Sequence, residues 1–107
     1  MKILLGSFER KNKKYEFQSL DITDESFDNI LKMAQSPWKY GRIQDIEITL
    51  EESDVAVKDT VYQFRGETFN GYNIYIQSLK IETIQDFGTY RKLKCFVPSG
   101  TVKCEKK

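Results

Sequence analysis

The sequence predicts an α+β domain in which one helix packs on a strongly bent, mostly antiparallel sheet, or on an open barrel, of about six or seven strands. Three observations support this class. Several segments alternate apolar and polar residues, as half-buried strands do. One segment alone has helical spacing, and turn-forming residues separate the others. The chain has 107 residues, enough for one core, so residues 1–107 are expected to form a single domain.

The first elements are expected to be two strands and a helix. The strands, at residues 2–8 and 15–20, are joined by a basic stretch into a hairpin with a basic tip. The helix is expected over about residues 24–35, with Thr23 or Asp24 as its N-cap and Pro37 just beyond its end. The apolar side chains expected on its buried face are Phe27, Ile30, Leu31 and Ala34.

The rest of the chain is expected to contain strands. Residues 46–50 alternate, while Ile43 is out of phase with them, which indicates a bulge or a separate contact made by the end of the loop. The next strand, residues 55–64, has a break at 58–59. Asn70-Gly71 then predicts a hairpin turn in which both residues take positive φ.

Two further features concern the following strands. The alternation that starts at Tyr72 slips at residues 77–78, which indicates a second bulge or a corner of the sheet. The last two strands, residues 90–97 and 101–104, surround a short segment that contains proline and glycine.

Cys95 and Cys104 lie symmetrically about Ser99 and Gly100. In a hairpin with a two-residue loop they would face each other as a non-hydrogen-bonded pair, with Cα atoms roughly 4.5 to 5.5 Å apart. We expect free thiols rather than a disulfide, because a cytosolic environment keeps cysteines reduced. Two cysteines cannot form a structural zinc site by themselves.

The composition argues against most enzyme classes. The chain has no histidine, which is the commonest general base and a frequent metal ligand. No glycine-rich phosphate loop is present, since the six glycines stand singly. We therefore expect no catalytic residues, no metal and no cofactor; a small enzyme using lysine, tyrosine or carboxylates remains the second alternative.

The charges are unevenly distributed along the chain. Residues 21–59 carry four basic and ten acidic residues, whereas the segments before and after them are net positive and leave a total of +1. Residues 36–41 contain the one tryptophan together with a tyrosine, a composition typical of protein-binding loops, although Trp38 could instead cover the core. The residues predicted to contact a partner protein are Trp38, Lys39, Tyr40, Glu51, Glu52 and Asp54.

A non-enzymatic protein-binding module or inhibitor is therefore the expected function. Small immunity proteins, phage anti-defence proteins of the anti-CRISPR kind and phage or mobile-element accessory proteins have this size and composition. The acidic stretch would face a basic partner, such as a nucleic-acid-binding protein. The longest apolar run, residues 3–5, is too short for a membrane span, so we expect a cytoplasmic protein without membrane association.

The alternative is a small β-rich domain that binds single-stranded nucleic acid, because basic clusters and aromatic residues on strands are the components of a stacking groove. The aromatic residues predicted to line it are Tyr15, Phe17, Tyr72, Tyr75 and Tyr90. The near-neutral total charge argues against it. The residues that would contact nucleic acid are Arg10, Lys11, Lys13, Lys14, Arg91, Lys92 and Lys94.

Overall fold

One antiparallel sheet with a single helix packed on it makes up the structure, a computed structural model that describes residues 2–17, 20–35, 43–51, 58–98 and 100–107. The predicted α+β class is confirmed. The elements in chain order are β1 (Lys2–Arg10), β2 (Lys13–Phe17), β3 (Leu20–Ile22), α1 (Asp24–Gln35), β4 (Ile43–Leu50), β5 (Thr60–Thr68), β6 (Tyr72–Asp86), β7 (Arg91–Val97) and β8 (Val102–Lys106).

The sheet is bent so strongly that β1 and β5, which lie near its opposite ends, also pair with each other. Its hydrogen-bonded order is β2-β1-β3-β4-β7-β6-β5; β8 pairs with β6, and β1 also pairs with β5. Within the described residues, β2 and β8 each pair along one edge only, so the sheet keeps two open edges and is not a closed barrel. The helix packs on β4 and β8.

Inward-facing side chains from seven of the strands and from the helix form one core. Its largest fully buried members are Phe8 and Phe64, whose ring centroids lie 5.4 Å apart. Close packing also restricts position 6 to glycine, because a Cβ atom there would lie 2.0 Å from Cδ1 of Leu20. A side chain at this position would therefore force the buried Leu20 side chain out of its place in the core.

The two predicted bulges are present. The pairing of β4 with β7 shifts between Ile43 and Ile46, and the pairing of β5 with β6 shifts between Tyr62 and Phe64, opposite the slip at residues 77–78. Asp59 has φ 60 just before β5 begins, which agrees with the predicted break, while residues 55–57 of that predicted strand lie outside the described residues.

The hairpin turns have the predicted positions, but one has a different geometry. Asn70-Gly71 joins β5 to β6, yet of the two only Gly71 has a positive φ, 88°. Glu67 pairs with Asn73, so the connection is longer than two residues. The two-residue turn with both φ values positive is instead Lys11-Asn12, at 51° and 64°, at the basic tip of the first hairpin.

The helix has the predicted bounds, but its buried face is rotated. Phe27 and Ile30 are buried as predicted, whereas Leu31 and Ala34 are only partly buried, and Ser26 and Met33 are buried in their place. The cause is a hydrogen bond to β4: Ser26 Oγ accepts from the backbone N–H of Glu47 at 2.9 Å. This bond turns the Ser26 side of the helix toward the sheet.

The predicted hairpin between the last two strands is wrong. Cys95 pairs with Ile46 and Ile81, while Cys104 pairs with Ile74. β7 and β8 thus lie end to end along the same long strand, β6. The two cysteines face positions seven residues apart on it, a separation of roughly 20 Å and too great for a disulfide. Both thiols are free.

Candidate protein-contact surface

One of the six predicted protein-contact residues belongs to the described part of the chain. Trp38, Lys39, Tyr40, Glu52 and Asp54 lie outside the described residues. Glu51, the remaining one, is exposed and directly follows the last residue of β4. The residues around Glu51 are therefore the described part of the predicted protein-contact surface.

An exposed pair of stacked aromatic rings lies at this end of the sheet. Residues 87–90 connect β6 to β7 and form what we call the aromatic turn. Phe87 and Tyr90 are 49% and 36% exposed, and their rings stack with centroids 4.9 Å apart and an interplanar angle of 15°. Large apolar side chains exposed on a tight turn are available for contact with another molecule.

Backbone hydrogen bonds hold the aromatic turn in shape. The N–H of Phe87 donates to the carbonyl oxygen of Tyr90 at 2.9 Å, which closes the turn. Gly88 has φ 87, a conformation that residues with a Cβ atom adopt only with strain. Its N–H donates to Oδ1 of Asp86 at 2.9 Å. These bonds fix the backbone that carries the two rings.

Charged neighbours complete the aromatic turn. Nε of Arg91 lies 3.4 Å from Oδ2 of Asp86, and Nζ of Lys92 lies 5.8 Å from the centre of the Phe87 ring. The pKa of Asp86 is lowered from its ordinary value, mainly because its carboxylate accepts the hydrogen bond from Gly88, with a smaller contribution from the positive charge of Arg91. Asp86 is therefore ionised at neutral pH, and its carboxylate accepts the hydrogen bond from Gly88 that shapes the turn.

Exposed carboxylates cover the neighbouring part of the molecule, which we call the acidic surface. It follows β3, the start of α1 and β4, three elements joined by the pairing of β3 with β4 and by the bond from Thr23 N–H to the carbonyl oxygen of Glu47. Its members are Asp21, Asp24, Glu25, Asp28, Glu47 and Glu51. The acidic part of the sequence thus lies on elements that pair or bond to one another in the fold.

The acidic surface and the aromatic turn are neighbours. Leu50 at the end of β4 pairs with Arg91 at the start of β7. Glu51 follows Leu50, and Tyr90 precedes Arg91, so both residues lie at the same end of the paired strands β4 and β7. The exposed carboxylate of Glu51 and the exposed ring of Tyr90 are therefore carried by neighbouring stretches of backbone.

The two predicted basic clusters are not brought together. Arg10, Lys11, Lys13 and Lys14 are exposed on the β1–β2 hairpin, whereas β7, which carries Arg91, Lys92 and Lys94, is the third strand from β1 in either direction. Lys94 also faces Glu47 of the acidic surface across the strand pair. Opposite charge at that position weakens the field that a nucleic acid would meet on β7.

The aromatic residues predicted to line a nucleic-acid groove are likewise divided. Tyr15, Phe17 and Tyr72 are partly buried against the core. Tyr75 lies under the guanidinium of Arg65, whose Cζ is 4.4 Å from the ring centre. Tyr90 belongs to the aromatic turn. These rings occupy different parts of the sheet and do not form one stacking groove.

Two observations on the described residues concern metal binding and nucleophilic thiols. Among them, no three His, Cys, Asp or Glu side chains come together in an arrangement that could hold a metal ion. Burial, and to a smaller extent the charge of Glu82, raises the pKa of the Cys95 thiol to about 12. Cys95 is thus a neutral core side chain at physiological pH rather than a nucleophile.

Sequence reasoning missed the aromatic turn. The pairing of β6 with β7 shifts between Ile81 and Thr83, and this irregularity ends the alternation from which the strand was predicted. Gly88, with an aromatic residue on each side at positions 87 and 90, was the available signal, because glycine marks a tight connection between strands.

In the described part of the chain, no helix is long and apolar enough to cross a membrane. Comparison of the chain with protein-family models, with curated proteins and with solved structures finds no match.

Proposed function

We propose that this protein is a non-enzymatic protein-binding module that acts as an inhibitor or accessory subunit. It engages a basic partner protein through the acidic surface and anchors it with the aromatic turn. The observation that carries the proposal is the position of the exposed, stacked Phe87–Tyr90 pair beside Glu51. Small immunity proteins and phage anti-defence proteins are similar to it in size and composition.

Rigid aromatic residues are the common anchors of protein interfaces, because they bury a large area and lose little conformational entropy on binding. The hydrogen bonds of the aromatic turn lower that entropy cost further, since the backbone that carries the rings is ordered beforehand. Carboxylates around such an anchor speed the encounter with a positively charged partner and reject negatively charged ones. A nucleic-acid-binding protein has a suitable basic groove.

The experiment starts by isolating the partner with the immobilised wild-type protein and then measures the affinity of variants by surface plasmon resonance. Phe87→Ala and Tyr90→Ala should each weaken binding by about 2 kcal/mol, roughly thirtyfold, mainly through faster dissociation. The matched control is Phe69→Ala. Phe69 is 74% exposed, but it lies at the opposite end of β6 and should be replaceable without loss.

Equal affinities for wild type, Phe87→Ala and Tyr90→Ala would contradict the proposal. The same variants are also titrated against a fluorescent single-stranded oligonucleotide. In the nucleic-acid alternative, replacing Lys11, Lys13 and Lys14 with glutamine would abolish oligonucleotide binding, and the aromatic turn would not matter. The two titrations therefore separate the two functions.

A further inference from the structure

The outer edge of β2 has an open row of backbone groups. Arg10 and Lys13 flank the two-residue turn of the first hairpin, so they form a hydrogen-bonded pair. Pairs alternate along the ladder, and therefore Tyr15 and Phe17 also direct their backbone groups toward β1. Lys14 and Glu16 direct theirs away from β1, and among the described residues no strand pairs with them.

An open strand edge is a template for another strand, and lysine is a common residue for protecting it. Here the protection is incomplete, because the two outward-directed residues carry opposite charges. They are exposed, and Nζ of Lys14 lies 3.3 Å from Oε1 of Glu16. A strand with the reverse order of charges would match this edge.

The chain itself supplies such a strand. We infer that β2 pairs with β2 of a second copy, antiparallel and about a two-fold axis at Tyr15. The backbone allows only registers in which outward-directed residues face each other. Facing Lys14 with Lys14, or Glu16 with Glu16, sets like charges together. The register centred on Tyr15 instead places each Lys14 opposite the Glu16 of the second copy.

The same register suits the side chains on the inner face. It sets the two Tyr15 rings opposite each other as an aromatic cross-strand pair, and it sets each Lys13 opposite the Phe17 of the second copy. Tyr15 and Phe17 already pack against the core, and Phe17 meets Phe8 edge to face at 5.7 Å. Pairing would thus continue both the sheet and its apolar layer across the interface.

The test is the oligomeric state of the full chain, measured by sedimentation velocity over a range of concentrations. Wild type should sediment as a dimer. Lys14→Glu and Glu16→Lys should each raise the dimer dissociation constant roughly tenfold or more, because each replaces two opposite-charge contacts with two like-charge contacts. The double variant, Lys14→Glu with Glu16→Lys, should dimerise again, since it restores opposite charges in the same register.

Lys103→Glu is the charge control, because Lys103 is exposed on β8 and should leave the dimer unchanged. Circular dichroism of each variant checks that it is folded. A wild type that is monomeric at about 100 µM, a concentration well above ordinary dimer dissociation constants, would overturn the inference. A double variant that dimerises no better than the single variants would overturn it as well. Neither result bears on the aromatic turn, so the proposed function is tested separately.

Discussion

Ser26 is the buried polar residue that sets how the helix lies on the sheet. Its Oγ accepts hydrogen bonds from the backbone N–H of Glu47 and from the hydroxyl of Thr23, the latter at 2.6 Å. Thr23 Oγ1 in turn accepts from the N–H of Ser26 at 3.1 Å and caps the helix. A buried donor without such a partner costs roughly 1 to 3 kcal/mol, which explains why a serine is placed among apolar side chains.

Two neighbouring helix positions test the observed orientation. Ile30 is 0% exposed and Leu31 is only partly buried. Ile30→Ala should lower the free energy of unfolding by about 2 to 5 kcal/mol, because it leaves a cavity in the core, and Leu31→Ala should cost clearly less. Urea denaturation of both variants measures this difference. If Leu31→Ala is the more damaging change, the helix faces the sheet as the apolar pattern alone predicted.

The raised pKa of the buried Cys95 thiol predicts that the folded protein loses stability at alkaline pH. Burial raises its pKa in the folded protein to about 12, whereas the unfolded chain ionises near 9. Below pH 9 both states keep the proton and this contribution is fully present. Between pH 9 and about pH 12 the unfolded chain has released the thiol proton while the folded protein retains it. The free energy of unfolding therefore falls by about 1.4 kcal/mol for each pH unit.

The measurement compares wild type with Cys95→Ala by urea denaturation at several pH values from 8 to 11. Tyrosine and lysine titrate in the same range, but they are present in both proteins, so the difference between the two slopes belongs to Cys95. We expect the wild type to have the steeper loss. Parallel slopes would mean that the thiol reaches solvent in the folded state.

At the level of the elements, the long strand β6 organises the second half of the sheet. Its first residues pair with β8 and its last residues with β7, both on the edge opposite β5. Gln77 secures the junction: its N–H donates to the carbonyl oxygen of Thr101 at 2.9 Å, and its Oε1 accepts the N–H of Thr101 at 3.1 Å. These bonds hold β7 and β8 in line rather than folded into a hairpin.

The end-to-end arrangement predicts how the two thiols react. Cys104 is partly buried and Cys95 is buried, so a thiol reagent should modify Cys104 in the folded protein and both residues only after unfolding. An oxidation catalyst should produce no disulfide within one chain, because the cysteines are too far apart. Mass spectrometry without reductant checks both outcomes. An intrachain Cys95–Cys104 bond formed under native conditions would instead support a hairpin.

For the molecule as a whole, the separation of charge makes a prediction about association. Asp28→Lys with Glu51→Lys reverses two members of the acidic surface, and Glu9→Lys with Glu105→Lys makes the same change of net charge on β1 and β8. The first pair should slow association with the basic partner about fivefold at low salt, while the second pair should have a much smaller effect.

Stopped-flow measurements at two salt concentrations follow this difference. Raising the salt should reduce it, because screening removes long-range attraction. Melting temperatures should change little, since Asp28, Glu51 and Glu105 are exposed and Glu9 is only partly buried. If the two double variants associate at the same rate, net charge rather than the acidic surface controls the encounter.

The features that the sequence predicted correctly are those that depend on neighbouring residues. The helix bounds follow from spacing within Asp24–Gln35 and from a capping residue next to it, and the bulges at Ile43 and at residues 77–78 follow from breaks in local alternation. Charge segregation was also visible in the sequence, since β3, α1 and β4 are consecutive segments. Such patterns exist before any long-range contact forms.

The features that required the fold involve residues far apart in the chain. Symmetry about residues 99 and 100 allowed a hairpin, but β8 pairs with β6, some thirty residues earlier, because register is a property of two strands and not of either sequence alone. Ser26 could not be assigned to the core without Glu47. Likewise, Glu51 and Tyr90 become neighbours only because β4 pairs with β7. Periodicity identifies which face of an element is apolar, whereas the partner that covers that face is chosen by packing in three dimensions.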